Sequence, residues 1–260
     1  MAPMDINVMV INVGNTRTAV GAFVAGQLER VVRLPNDRQQ EWGPQIRQVW
    51  ELCKGKEGAS IAGASVNPAV ADEIDDVVQQ ETDRLIQWVG DELELPIDVQ
   101  TDEPNATGVD RVLNMAAAFE QVGKPCAVVD AGTAITVDIC DERGNFLGGA
   151  IAPGVEMMLG ALHAKTAKLP EVSFAVPQGP YGKNTAEAMR QGVYHGIRGM
   201  VKELVENYAT DLGTWPDLIA TGGDAQALFS GWELVHAVSP DLTLYGVALA
   251  YANHHIKHGT

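Results

Sequence analysis

The sequence is poor in cysteine, in aromatic side chains and in positive charge. Its 260 residues include 3 cysteines, 6% aromatic residues, and 18 Lys and Arg against 34 Asp and Glu. An odd number of cysteines without metal-ligand spacing argues against a disulfide scaffold and favours a reducing compartment. The net charge of −16 disfavours nucleic acids, whose binding depends on Lys and Arg that displace counterions, and it also disfavours anionic membrane surfaces.

Long apolar runs are absent from the sequence as well. No stretch approaches the roughly 18–20 apolar residues that a membrane-spanning helix needs, and the first residues lack the basic start and apolar run of a signal peptide. We therefore expect a cytoplasmic protein with neither a membrane nor a nucleic-acid partner. The content of 46% hydrophobic and 20% charged residues is typical of folded domains, and the length fits one or two of them.

Strand and helix patterns alternate along the chain, which predicts the α/β class. Short β-branched or apolar runs predict strands at 8–11, 18–24, 28–34, 60–66, 126–129, 135–139, 146–151 and 218–220. Apolar residues at helical spacing predict helices at 44–53, 69–85, 108–122, 187–208 and 244–256.

One strand-and-turn unit occurs twice in the sequence. Residues 10–16 (VINVGNT) align with residues 128–134 (VVDAGTA), so that Asn12 matches Asp130 and Gly14 matches Gly132. Each copy is followed by two further β-segments, which favours an internal duplication over a chance match. We predict two related α/β domains, residues 1–115 and 116–260, each with a mixed sheet flanked by helices.

Both of these turns, and a third at Thr221-Gly222-Gly223, are suited to binding phosphate. Glycine lets the backbone N–H groups approach an anion closely, and Asn15 and Thr16 add side-chain donors. Each turn taken alone is better explained as an ordinary tight turn. Three of them after apolar strands, two being related copies, favour a nucleotide site.

A carboxylate beside an arginine opens the helix predicted at 108–122. Asp110 could accept a proton from an alcohol that attacks a phosphoryl group, and Arg111 could bind a carboxylate or phosphate. The alternative is structural, with Asp110 capping the helix and Arg111 pointing to solvent. The spacing alone leaves both interpretations open.

The ordered set of motifs resembles the type III pantothenate kinase family, and the resemblance spans nearly the whole chain. The matching runs are Asn12-Val13-Gly14-Asn15-Thr16-Arg17, Gly108-Val109-Asp110-Arg111, Asp130-Ala131-Gly132-Thr133-Ala134, Gly149-Ala150-Ile151-Ala152-Pro153-Gly154, Gly182-Lys183-Asn184-Thr185, Thr221-Gly222-Gly223 and Leu242-Thr243-Leu244-Tyr245-Gly246. The resemblance implies two related actin-like (ribonuclease H-like) domains around a nucleotide cleft, and a homodimer. It also implies phosphorylation of the primary hydroxyl of pantothenate by ATP, the first step of coenzyme A biosynthesis.

The same resemblance implies roles for individual residues and cofactors. The cofactors would be ATP, Mg²⁺ and a monovalent cation, K⁺ or NH₄⁺. Asp110 would be the catalytic base, and Asp130 the ligand of the monovalent cation. Pantothenate would be bound by Thr101, Gly108, Val109, Arg111 and, across the dimer, Thr185. ATP would be bound by Asn12, Gly14, Asn15, Thr16, Arg17, Gly132, Thr133, Gly222 and Gly223.

Two positions depart from the pattern of the family. Asn12 stands where the family motif begins with Asp, which removes a negative charge near the expected metal and phosphates. Thr101 stands where the family usually has a substrate-contacting Tyr. These departures keep two alternatives open: a non-catalytic or weakened relative that acts as a ligand-binding regulator, and an actin-like sugar kinase. A sugar kinase would leave Gly108–Arg111 and Thr185 unexplained.

Overall fold

The computed structural model describes residues 6–258, which form two compact units. The first unit contains residues up to Gln121 together with the segment from Leu242 onward, and the second runs from Val122 to Asp241. The predicted domains, 1–115 and 116–260, are therefore corrected in two respects. The boundary lies at the end of a helix, and the C-terminal helix belongs to the first unit because it packs on the sheet of that unit.

The first unit is built on a five-stranded mixed sheet. Its strands are β1 (Val8–Val13), β2 (Arg17–Val24), β3 (Gln27–Pro35), β4 (Ser60–Ser65) and β5 (Gln87–Trp88), in the spatial order β3-β2-β1-β4-β5. Its helices are α1 (Trp42–Trp50), α2 (Pro68–Thr82), α3 (Val109–Val122) and α7 (Leu242–His258). The pairs β1–β2 and β2–β3 are antiparallel, whereas β1–β4 and β4–β5 are parallel.

Both faces of β1 are buried, which explains its nearly continuous apolar sequence. Met9 and Ile11 face a cluster that includes Trp42 and Ile46 of α1 and Ile74 of α2. Val8 and Val10 face the opposite cluster, to which α7 contributes Leu244, Val247, Ala248 and Tyr251. Helix α7 thus covers one face of the first sheet, although it comes last in the sequence.

The second unit repeats this sheet. Its strands are β6 (Cys126–Ala131), β7 (Ala134–Cys140), β8 (Phe146–Pro153), β9 (Asp217–Thr221) and β10 (Ala237–Val238), in the order β8-β7-β6-β9-β10. Its helices are α4 (Val155–Ala164), α5 (Thr185–Leu212) and α6 (Ala225–Phe229). The buried stripe of α5 lies in the core cluster of this unit and consists of Met189, Val193, Ile197, Val201 and Val205.

The two sheets share strand order and strand direction, which confirms the predicted fold class of two related mixed-sheet domains. The central strands are β1 and β6. Each is antiparallel to the strand that follows it in the chain, β2 or β7, and parallel to its other neighbour in the sheet, β4 or β9. Even an irregularity is repeated: the pairing of β2 with β3 shifts register at Ala22/Phe23, and the pairing of β7 with β8 shifts at Ile139/Cys140, in each case next to the turn that joins the two strands. Because β-bulges are retained among related structures, the shared irregularity supports a duplication of this hairpin.

Two strands and two helices of the described chain were not predicted from the sequence, namely β5, β10, α4 and α6. The two strands have only 2 residues each, too few to show a period. No helix among residues 6–258 is both long and apolar enough to cross a bilayer.

Candidate active site

In the first unit, the turn between β1 and β2 carries three of the predicted ATP-binding residues, and a fourth, Arg17, begins β2. The N–H of Gly14 donates to the Arg17 carbonyl over 3.0 Å and closes the turn. Asn15, Thr16 and Arg17 are exposed, whereas the strand residues on either side, Val13 and Thr18, are buried. The buried strand residues therefore anchor both ends of the turn, and its polar residues are exposed to solvent.

Asn12 is the last but one residue of β1 and lies directly before this turn. Its Oδ1 atom is buried and has no hydrogen-bond partner within the described chain. A buried carbonyl-type oxygen without a donor costs about 1–3 kcal/mol, so its position calls for an external donor. A water molecule bound to a cation would be such a donor, which fits the place that the resemblance gives to residue 12.

In the second unit, three of the predicted motifs meet at one end of the sheet. Asp130 pairs across β6–β9 with Thr221, so the turn after β6 lies beside the turn after β9. The N–H of Asp224 donates to the Ala131 carbonyl over 2.9 Å. Gly222 has a φ of +96°, and a Cβ at this position would collide with the Ala131 carbonyl and with Oδ1 of Asp130. Only glycine therefore fits at position 222. The Asp130 carboxylate packs against the backbone of Gly222, where any other residue would place a side chain.

Gly154 completes this arrangement. Its N–H donates to the Thr133 carbonyl over 3.1 Å, and a Cβ on Gly154 would overlap the carbonyls of Gly132 and Thr133. The Pro153-Gly154 exit of β8 therefore packs on the turn after β6. Sequence spacing alone favoured an ordinary strand exit at this place, and only the structure reveals the contact.

The predicted catalytic base lies at the start of α3. Asp110 belongs to the first turn of the helix, and its Oδ1 accepts the N–H of Arg111 over 2.8 Å. Burial raises the pKa of this carboxyl above its ordinary value, while the N–H and the charge of Arg111 oppose the shift. A Cβ on Gly108 would lie 2.9 Å from Oδ1 of Asp110, so glycine leaves room for the carboxylate.

The structure brings Thr101 to the same place. Its hydroxyl lies 3.0 Å from the hydroxyl of Thr107, the residue before Gly108. Both threonines are half-buried. Thr101, Gly108, Val109, Asp110 and Arg111 thus form one local cluster in the first unit. Thr107 was not predicted, since a single threonine before a glycine carries no distinctive pattern.

Thr185 is the first residue of α5 and is exposed. Asn184 caps this helix by accepting the N–H of Glu187 over 2.9 Å, and Glu187 accepts the N–H of Lys183 over 2.9 Å. Gly182 lies so close to Ala188 that a side chain would not fit. These contacts fix the helix start, and within residues 6–258 the Thr185 hydroxyl has no hydrogen-bond partner.

The described residues include no cluster of three or more His, Cys, Asp or Glu side chains that could hold a metal by itself. A divalent cation would therefore depend on the phosphates of a nucleotide for most of its ligands, which is common for Mg²⁺. Asn12 in the first unit and Asp130 in the second are the predicted side chains with oxygen atoms suited to such cations.

Two units of this topology, each with a glycine turn after its central strand, define a class of duplicated α/β proteins with one mixed sheet in each half. Within that class, residues 8–207 match the type III pantothenate kinase family, and the chain belongs to this family. It is 32% identical to the type III pantothenate kinase of Solibacter usitatus over 253 residues, which cover 95% of this chain and 97% of that one. It is 33% identical to the enzyme of the same name from Moorella thermoacetica, over 94% of this chain and 98% of that one.

Solved structures agree on the fold. A conserved Baf family protein of Campylobacter jejuni superposes with a TM-score of 0.61 at 21% identity, over 95% of this chain and 98% of that chain. Component A of (R)-2-hydroxyglutaryl-CoA dehydratase from Acidaminococcus fermentans gives 0.53 at 15% identity, over 98% of this chain and 100% of that chain. At these identities the likeness concerns the fold alone.

Proposed function

We propose that the chain transfers the γ-phosphoryl group of ATP to the primary hydroxyl of pantothenate, giving 4'-phosphopantothenate and ADP. Family membership supports the reaction, and the observation that carries it in this chain is Asp110. This carboxylate is half-buried, sits at a helix start beside Arg111, and lies in a local cluster with Gly108 and Thr101. Such a cluster offers a proton acceptor and a cation within one helical turn.

In this mechanism the hydroxyl oxygen of pantothenate bonds to the γ-phosphorus while the bond from that phosphorus to the β,γ-bridging oxygen breaks. The hydroxyl proton passes to Asp110, and ADP leaves. The pKa of an alcohol is high, so the proton moves late and most of the rate enhancement comes from positioning and from neutralised charge. Arg111 binds the pantothenate carboxylate or the transferred phosphoryl group. A divalent cation bound with ATP supplies part of the neutralising charge.

The turns of both units would bind the nucleotide. Gly14, Asn15, Thr16 and Arg17 offer donors in the first unit, and Gly132, Thr133, Gly222 and Gly223 offer donors and open backbone in the second. Asn12 would hold a cation-bound water through its Oδ1. These assignments follow the family motif residue by residue, and the close packing of the second turn supports them.

A monovalent cation would bind at Asp130. This carboxylate is the last but one residue of the buried strand β6 and lies where glycine at 222 leaves space that a Cβ would fill. A partly buried carboxylate is stabilised by a cation. We expect faster turnover in K⁺ or NH₄⁺ than in Na⁺, and loss of that difference in Asp130→Asn. Equal rates of the unmodified chain in Na⁺ and K⁺ would contradict this role.

A homodimer would complete the pantothenate site, with Thr185 of one chain reaching the substrate of its partner. The second unit carries several exposed apolar side chains, which favours a protein interface. They are Ile151, Met157, Leu162, Val176 and Tyr181.

The decisive assay measures ADP release with pantothenate, Mg²⁺ and K⁺. Turnover that requires pantothenate supports the kinase. Binding of ATP or pantothenate without turnover supports the ligand-binding regulator, the alternative that the amide at Asn12 favours because it lacks the charge of a carboxylate. Turnover only with a hexose would support a sugar kinase.

A further inference from the structure

Asn36, which follows β3, belongs to none of the motifs but makes three hydrogen bonds to the turn between β1 and β2. Its Nδ2 donates to the Gly14 carbonyl over 2.9 Å. Its backbone N–H donates to the Thr16 carbonyl over 3.0 Å, and its Oδ1 accepts the Thr18 hydroxyl over 3.0 Å. One residue therefore binds the first and third residues of the turn and the start of the strand that follows it.

The core fixes the position of Asn36 itself. The indole N–H of Trp42 donates to the carbonyl of Pro35 over 3.0 Å, and Trp42 is fully buried at the start of α1. The residue directly before Asn36 is thus tied to the hydrophobic core. Because of this link, the turn is held by a rigid support rather than by a mobile surface side chain.

The bond to Gly14 also sets the direction of a backbone donor. The peptide unit is planar and trans, so its C=O and N–H point in opposite directions. When Asn36 draws the Gly14 carbonyl toward itself, it turns the N–H of Asn15 away, outward from the support. Outward N–H groups in a glycine turn are the donors that bind anions.

In the equivalent turn of the second unit, the residue that follows the third strand is Gly154, which has no side chain. There the backbone N–H groups of Gly154 and Asp224 donate to the carbonyls of Thr133 and Ala131. The bond from Gly154 matches the backbone bond from Asn36 to Thr16, and in the first unit the Asn36 side chain adds its two bonds to Gly14 and Thr18. The two copies of the duplicated unit have therefore acquired different supports.

We infer that Asn36 is a positioning residue for nucleotide binding: it holds the Gly14–Arg17 turn in the conformation that receives the phosphates. The inference rests on the proposed function in so far as this turn contacts the nucleotide. Asn36 itself contacts only protein atoms in this arrangement. Its loss should therefore weaken nucleotide binding and leave the affinity for pantothenate unchanged.

The chain offers a matched control for this test at the opposite end of the same sheet. Asn7 fastens the hairpin between β2 and β3 in the same manner, since its Oδ1 accepts the Ala25 N–H over 3.1 Å and its Nδ2 donates to the Glu57 carbonyl over 3.0 Å. Asn7→Ala removes a comparable pair of bonds far from the turn at Gly14. Thr18→Val is a second variant that removes only the bond between the hydroxyl and Asn36.

The experiment measures the dissociation constant of ADP by calorimetry, which needs no turnover, together with KM for each substrate and the melting temperature. Losing one to two net hydrogen bonds corresponds to roughly 5- to 30-fold weaker binding. We expect that increase for Asn36→Ala, a smaller one for Thr18→Val, and none for Asn7→Ala at a similar loss of melting temperature. The KM for pantothenate should not move in any of the three.

Equal ADP affinities of Asn36→Ala and the unmodified chain would overturn the inference. So would an equal loss in Asn7→Ala, because the effect would then reflect general destabilisation. If the unmodified chain binds ADP but does not phosphorylate pantothenate, the proposed function fails, while a selective effect of Asn36→Ala on ADP binding still supports the positioning role.

Discussion

The carboxyl group of Asp110 sets the lower pH limit of the proposed reaction. Its pKa is raised by burial, so the base becomes protonated at a higher pH than an ordinary aspartate with a pKa of about 3.9. We expect kcat/KM to fall as the pH drops through this raised pKa. An acidic limb at the ordinary position of aspartate would show that another group is the base.

Asp110→Asn removes the proton acceptor, and general bases contribute about 10²–10⁴-fold. We expect a loss of turnover of that order, with ADP binding retained. The folded chain holds the proton of Asp110 more tightly than the unfolded chain, so ionisation of this group costs stability as the pH rises through the raised pKa. The variant should therefore melt at the same or a higher temperature at pH 7. Near-normal turnover would exclude Asp110 as the base.

In the proposed mechanism, Asn12 would determine how strongly nucleotide binding depends on a divalent cation. Within the duplication its counterpart is Asp130, and its own buried Oδ1 has no partner in the described chain. A unit charge 4–5 Å from a cation is worth roughly 3–4 kcal/mol at an effective dielectric constant of 20, before desolvation. We expect Asn12→Asp to lower the Mg²⁺ concentration needed for ATP use and to leave pantothenate specificity unchanged.

Identical Mg²⁺ and ATP titrations of Asn12→Asp and its parent would remove residue 12 from the metal–phosphate cluster. If the parent is inactive and Asn12→Asp restores turnover, the natural chain is a non-catalytic relative, and the proposed kinase function is wrong for it.

At the scale of elements, the two adjacent glycines of the turn after β9 differ in how much room a side chain would have. Gly222 has a positive φ, and a side chain there would collide with the turn that carries Asp130, whereas a Cβ on Gly223 meets nothing within 4 Å. We expect Gly222→Ala to cost about 1–3 kcal/mol of unfolding free energy through backbone strain and to weaken ADP binding severalfold. Gly223→Ala should change the stability by no more than about 0.5 kcal/mol, and equal effects of the two would contradict the close packing.

The long, regular elements of this fold could be predicted from the sequence because each has a clear period. The spacing of Met189, Val193 and Ile197 predicted a helix at 187–208, within the observed Thr185–Leu212. The two related turns could be predicted because the same strand-and-glycine pattern occurs at 10–16 and again at 128–134, although one copy alone would be a weak pattern. The role of Asn36 could not be predicted, since it depends on a bond between residues 22 positions apart. The placement of α7 on the first sheet could not be predicted either, because its apolar face fits any sheet.

For the molecule as a whole, the glycines of α5 bear on the oligomeric state. Gly192, Gly196 and Gly199 lie inside this helix, are exposed, and have open space where a Cβ would be. Glycine inside a helix costs about 1 kcal/mol relative to alanine, and no contact within the described chain explains that cost. A second copy of α5, packed closely against this face, would explain all three.

The triple variant Gly192→Ala/Gly196→Ala/Gly199→Ala tests this explanation because it separates helix stability from association. Alanine favours the helix by about 1 kcal/mol at each position, so the isolated chain should become more stable. If close packing of α5 makes the dimer, light scattering should show a dimer for the unmodified chain and a shift toward monomer for the variant. Turnover should fall with the dimer, since Thr185 of each chain would no longer reach the partner's pantothenate. A dimer that survives the triple substitution with full activity would place the interface on another face.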